Sequence, residues 1–370
     1  MRTDGVAAPG FEAMRDAFQR NFTDRGELGA GLCVIHRGQV VVDLWAGWMD
    51  EERTRPWRAD TIVQVYSTTK PLVAACALLL VNRGALQLDA PMARYWPEFG
   101  TAGKEDVTVR QLLSHQAGLV VVREPLPTAA IFDWASMVQR LAAEEPWWPP
   151  GTAHGEHAYF YGHLVGELVR RVDGRTISRF LADELAEPWH LDFQVGVRPE
   201  DRVRVAPVVG LASLFPDGMA GEPGSVYRAG LTNPPGMLLP EVVNSAAWMS
   251  AEIPAVNGFG TAAAVARFYQ GFLAGGALDG RRLLSTEICR EATSVQSSGP
   301  DVLLERHVEW GLGFQLENGT FGHGGLGGSG GYADPSLDLA FGYVTNLMAA
   351  HDRSDAVADA AEQCTRALAE

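Results

Sequence analysis

From position 71 to 81 every side chain is apolar, so no face of that segment is suited to water. Such a pattern predicts a helix buried on all sides. Pro71 is compatible with its first turn, and Asn82-Arg83-Gly84 supplies a glycine stop. Positions 61–66, largely β-branched or aromatic, predict an extended approach to it. Elsewhere the pattern is mixed. Positions 11–22 have helical apolar spacing, and 31–45 read as two strands joined by a turn at Arg37-Gly38. Toward the other end, 310–314 and 339–346 read as strands and 354–368 as a closing helix. The middle predicts helices over 107–115, 161–172, 177–187 and 261–274. They are separated by Pro/Gly-rich connections such as 146–151 and Glu222-Pro223-Gly224, which suit the walls of a cleft. The expected class is α/β (α+β), with one lobe from 1–95 and 300–370 and a mostly helical lobe from 96–299, the site lying at their seam.

Composition narrows the function classes. A chain of 370 residues with a net charge of -15 is a poor match for nucleic acid or anionic membranes. No apolar run approaches a membrane span, and Met1-Arg2-Thr3-Asp4-Gly5 lacks the basic-then-apolar pattern of a secretory leader, so a cytoplasmic location is expected. Cys33, Cys76, Cys289 and Cys364 are scattered without metal-ligand spacing; buried free thiols are expected, with no metal and no cofactor.

Candidate chemistry begins with lysine, of which the chain has two, Lys70 and Lys104. Lys70 stands three residues after Ser67, in Ser67-Thr68-Thr69-Lys70, which puts both side chains on one face of a helix start. A buried amine loses its proton more readily than a guanidinium, so Lys70 can receive the serine proton while Ser67 attacks as nucleophile. The same four residues also fit a helix N-cap with a solvated lysine. The buried helix behind them favours the chemical reading, because a solvated lysine is costly there, and the helix N-terminus suits an oxyanion.

Further segments fall in an informative order. They are Leu112-Leu113-Ser114-His115-Gln116-Ala117-Gly118-Leu119; Pro150-Gly151-Thr152 ahead of the helix over 161–172; and Phe321-Gly322-His323-Gly324-Gly325 followed by Gly327-Gly328-Ser329. With the Ser-x-x-Lys stretch, these resemble the serine β-lactamase and penicillin-binding-protein superfamily, nearest to class C β-lactamase-like proteins and family VIII carboxylesterases. The resemblance implies an antiparallel sheet flanked by helices with an inserted helical lobe. It implies Ser67 as nucleophile, Lys70 as its proton partner, and His323-Gly324-Gly325 as the third motif on a strand lining the cleft. The backbone N–H groups of Ser67 and Leu326 would form the oxyanion hole. His115 would be structural, bridging loops. Trp147 and Trp148 fit either an acyl-pocket wall or anchoring core.

One position departs from the resemblance. Where the pattern after Pro-Gly-Thr places a tyrosine, this chain has Glu156, within Glu156-His157-Ala158. A glutamate, ordinarily ionised near neutrality, would pair with Lys70 and titrate jointly with it. Glu156 could act as a general base, which favours activated esters over amides, or it could mark a disabled site; Tyr159 and Tyr161 are alternative phenols nearby. The expected function is a serine hydrolase or acyltransferase on a small ester or amide, through Ser67, Lys70 and Glu156. The alternative is a protein that binds or transforms a ligand in the same cleft without hydrolysis. β-Lactam hydrolysis ranks lower, since no leader is visible and His323 stands where the third motif elsewhere has lysine. The sequence does not specify an oligomeric state.

Overall fold

A strand buried along its whole length needs a covered sheet on both faces. Two such strands, Gly29–His36 and Leu339–Thr345, pair with each other in this protein. The computed structural model describes residues 2–368. Its main sheet contains β1 (Thr3–Ala7), β2 (Gly29–His36), β3 (Gln39–Gly47), β4 (Ser297–Pro300), β5 (His307–Trp310), β6 (Gln315–Glu317), β7 (Thr320–Gly324), β8 (Gly330–Asp334) and β9 (Leu339–Thr345). The spatial order is β1-β3-β2-β9-β8-β7-β6-β5-β4, and every neighbouring pair is antiparallel. Leu339 lies opposite His36 and Thr345 opposite Ala30, so the two ends of the chain meet in one ladder.

Helices cover both faces. On one, Phe11, Met14 and Phe18 of the α1 region (α1, Glu12–Asp24) and Val357 and Ala361 of the last helix (Asp352–Ala367) share a core with Leu32, Val34, Phe341 and Tyr343. On the other, the helix Ala262–Leu273 packs over β2, β8 and β9, and its Val265 and Phe268 join Cys33, Ile35 and Val344 in the larger core. That core also holds α2 (Lys70–Asn82), whose residues from Lys70 to Leu80 are all buried, and the helix Tyr161–Asp173 against it. The mixed α/β class and the antiparallel sheet flanked by helices are therefore present.

Three expected elements differ in detail. The strand expected over 310–314 ends at Trp310, because Gly313 at φ +88° breaks the extension and folds the chain into the next strand. The helix expected over 107–115 is shorter, Val109–Leu113, and begins at a capping box in which Thr108 and Gln111 satisfy each other's backbone N–H. The helix expected over 177–187 is α-helical only to Leu181, then widens into a π-helical turn over Ala182–Ala186. All four cysteines are buried free thiols. Among the described residues, no helix is long and apolar enough to cross a membrane.

Candidate active site

The site begins where the extended approach stops. Ile62–Gln64 is a short strand held between Gly258–Gly260 and Val205–Ala206. Two residues on, Tyr66 adopts φ +46°, a region costly for a side chain of that size. Its surroundings hold it there: the Tyr66 hydroxyl donates to the Met237 carbonyl at 3.1 Å, and the Thr69 hydroxyl donates to the Tyr66 carbonyl at 2.6 Å. Thr69 in turn accepts from the Gly258 N–H at 3.1 Å. Ser67 lies on a 3-10 turn, Tyr66–Thr69, one turn ahead of the α-helix that was expected to begin at it. Residues i and i+3 eclipse in such a turn. Accordingly, Lys70 Nζ donates to Ser67 Oγ at 2.6 Å.

Glu156 completes the cluster, with Oε1 2.9 Å from Lys70 Nζ. Lys70 is fully buried and Glu156 nearly so. Burial pulls the Lys70 amine below the ordinary lysine range, with Glu156 opposing part of that pull. Burial is the largest single influence and raises Glu156, but Lys70 and the other basic groups beside it together hold the carboxyl below its usual range. Lys70 Nζ thus lies between the Ser67 hydroxyl and the Glu156 carboxyl, each partner shifting the other's proton affinity. Lys104 is also buried, but its amine caps the backbone carbonyls of Thr101 and Glu144, away from the cleft.

Glu156 is positioned through its backbone. Its N–H donates to both Asp301 carboxylate oxygens, at 3.2 and 3.0 Å, and Asp301 also accepts from Leu303 N–H, Leu304 N–H and Trp310 Nε1. On the other side His115 brackets the segment: its carbonyl accepts from Gly155 N–H at 3.1 Å, and its Nδ1 accepts from His157 N–H at 3.1 Å. His115 thus bridges loops and does not line the cavity. Burial drives His115 well below the ordinary histidine range, His157 down to about 3 and His323 down to about 4. All three rings are neutral in the folded protein. Unfolding would return them to about 6.5, so over the interval between these values the unfolded chain binds more protons. Stability should therefore rise with pH through this window and be lost as pH falls from about 6.5 toward 4. Thermal melts between pH 7 and 4.5 should show a steady fall in Tm; a flat Tm contradicts neutral burial of these rings.

The third motif sits on β7 beside the Ser67 turn. The Thr68 hydroxyl donates to the His323 carbonyl at 3.4 Å. Gly325 is required by proximity, because a Cβ there would stand 2.1 Å from the Val65 carbonyl oxygen. His323 Nδ1 donates to the Gly324 carbonyl at 2.7 Å, leaving Nε2 3.8 Å from Glu156 Oε1 and without a hydrogen-bond partner. Among the described residues, neither the Ser67 N–H nor the Leu326 N–H makes a hydrogen bond.

These groups open on one cavity of about 390 Å³, lined by Ser67, Glu156, His323, Gly324, Gly325 and Leu326 among others. Lys70 sits behind it, reached through Ser67 and Glu156. All seven residues singled out from the sequence are therefore brought together. The alternative phenols are not among them. Tyr161 donates to the Leu113 carbonyl at 3.2 Å, and the Tyr159 hydroxyl is buried in the core without a partner. Trp147 and Trp148 donate to the Val121 and Ala153 carbonyls and lie outside the cavity.

Sequence reasoning missed several contributors. Tyr227, Leu231 and Met237 form an apolar wall, from the connection flagged at Glu222-Pro223-Gly224 but without any motif of their own. Asp301 gave no signal. Neither did the buried pair Arg353–Glu27, with Nη1 to Oε1 at 2.9 Å; Arg353 Nη2 also donates to the Gly327 carbonyl at 3.2 Å and so backs the turn that carries Leu326.

Comparison with known proteins shows the family and the fold. A family model described as Beta-lactamase matches residues 14–363. The esterase/beta-lactamase LipL of Mycobacterium tuberculosis is 36% identical over 377 residues, spanning 94% of this chain and 83% of LipL. A crystal structure of a family VIII carboxylesterase superposes with a TM-score of 0.91 at 36% identity, covering 98% of this chain and all of that one. A penicillin-binding protein homologue from Caulobacter crescentus superposes with a TM-score of 0.89 at 37% identity, again covering 98% and 100%.

Proposed function

The chain belongs to the beta-lactamase family, as a carboxylesterase-like serine hydrolase, and from that premise we propose that it cleaves small esters through an acyl-enzyme at Ser67. The observation that carries this reading is the contact chain Ser67–Lys70–Glu156, at 2.6 and 2.9 Å, opening on the cavity beside Leu326. Glu156 draws a proton from the Lys70 ammonium while Lys70 takes the Ser67 proton, and Oγ attacks the ester carbonyl carbon. The carbonyl oxygen becomes an oxyanion held by the N–H groups of Ser67 and Leu326. As the bond to the alcohol oxygen breaks, the Glu156 carboxyl supplies its proton, leaving an acyl-serine. Water then attacks the acyl carbon, its proton passes to Glu156 and Lys70, and one is returned to Ser67. On this reading the cleft is the seam of the two expected lobes, Ser67, Lys70 and His323 belonging to the one drawn from both termini and Glu156 and Tyr227 to the middle one.

A carboxyl held below its usual range is a weak base, so activated esters should outrun amides. The Lys70–Glu156 ion pair is also the observation that favours a second reading, ligand binding without turnover. Intact-mass analysis after exposure to a fluorophosphonate, with peptide mapping, separates the two. A single adduct at Ser67, with p-nitrophenyl butyrate hydrolysis by the untreated protein, is expected. An adduct on another serine with Ser67 untouched overturns the nucleophile assignment, and an adduct at Ser67 without hydrolysis favours the second reading.

A further inference from the structure

A second cavity, of about 220 Å³, adjoins the first. It lies between β7 and β8 on one side and the start of the last helix on the other, and it shares Gln315, Glu317, His323, Gly324 and His351 with the catalytic cavity. Its floor is unusual in what it lacks. Gly324 and Gly330 are paired across β7 and β8, and neither adopts positive φ. A Cβ on Gly330 would meet nothing nearer than 3.8 Å, and one on Gly324 nothing nearer than 3.4 Å. Neighbouring glycines are different: a Cβ on Gly331 would stand 2.3 Å from Val265. Packing thus demands glycine at 331, whereas at 324 and 330 a side chain would fit and would fill the slot. The glycines there keep space open.

The lining states what the space can hold. Glu317 and Asp355 contribute carboxylates, Thr320 and Ser354 hydroxyls, and Tyr332, stacked on Phe341 with ring centroids 5.1 Å apart, a buried hydroxyl without a partner. At the junction with the catalytic cavity, the buried Nε2 of His323 has no partner while its Nδ1 donates to Gly324. No lysine or arginine lines the slot. Hydrogen-bond acceptors therefore predominate, and the complementary ligand is rich in donors.

Resting on the esterase reading, we propose that this slot is a substrate subsite for the alcohol half of the ester, and that the alcohol bears an ammonium or several hydroxyls. The acyl chain occupies the apolar chamber walled by Tyr227, Leu231 and Met237. Gly330→Val tests this, because valine suits a strand and would fill the slot without touching the Ser67 machinery. Three butyrate esters share one acyl group and differ in the alcohol: methyl butyrate, glycerol 1-butyrate and 2-(dimethylamino)ethyl butyrate. Wild type should favour one or both of the armed esters over methyl butyrate by about tenfold in kcat/KM, the worth of one or two new hydrogen bonds. Gly330→Val should bring that preference close to one and leave methyl butyrate turnover unchanged. Glu317→Gln should lower the preference for the ammonium ester and spare that for the glycerol ester, which identifies which donor the slot reads. Equal wild-type rates for all three, or a preference that survives in Gly330→Val, overturn the subsite while the esterase reading stands. Absence of any turnover and of any butyryl adduct on Ser67 removes the esterase reading and the subsite with it.

Discussion

Lys70→Arg is expected to hydrolyse p-nitrophenyl butyrate no better than Lys70→Ala, with both at least about a hundredfold below wild type, the usual scale for losing a proton-transfer group. Arginine preserves the charge beside Glu156 and can still donate to Ser67 Oγ, but it does not surrender its proton in a protein. Burial has already moved the Lys70 amine in the direction that makes proton exchange accessible. Activity should accordingly rise with pH as the Lys70–Glu156 pair loses its shared proton, with the alkaline limb lying below the ordinary lysine value of about 10.4. Initial rates and burst amplitudes across pH 6 to 10 provide the measurement. An arginine variant at near wild-type rate would reduce Lys70 to an electrostatic anchor.

Glu156→Gln carries the second large effect, a loss of about two orders of magnitude or more in kcat on the same ester. The amide is nearly isosteric, and the backbone N–H bonds to Asp301 that fix residue 156 do not involve its side chain, so the fold should be retained. Glu156→Tyr should raise activity above wild type, because a phenol in this position can accept the serine proton as an anion and return it to the alcohol as a neutral group. A circular dichroism melt accompanying each rate separates loss of chemistry from loss of fold. Full activity in Glu156→Gln would make the carboxylate a bystander. The other phenols near it in sequence offer no substitute, since Tyr159 and Tyr161 are committed to the core.

The parts of the site that could be read from the sequence are those whose geometry is local. Ser67 and Lys70 are three residues apart, so a single turn decides their contact. Glu156 was visible only as a substitution at a counted position, which gives its place but not its partner. Asp301 is 145 residues from the backbone N–H it holds, and no periodicity or composition connects the two. The same distinction applies to the fold. The β2–β3 hairpin and α2 carry long apolar patterns, whereas β4, β5 and β6 are three or four residues long and β7 and β8 are rich in glycine. With so few apolar side chains, these strands have almost no pattern, and they exist because a neighbouring ladder already supplies hydrogen bonds.

The pairing of β9 with β2 has a consequence for biosynthesis. Residues near position 30 emerge from the ribosome long before those near 345, yet each supplies the other's backbone partner. During that interval β2 is paired only with β3, and its other edge, on a strand buried throughout in the folded protein, is open to any extended strand. The Ser67 turn and its buried helix are likewise made early, while His323 and Leu326 follow much later. The cleft is therefore assembled only once the chain has been made past Leu326, and a nascent fragment short of that point holds Ser67 and Lys70 without the strand that completes it.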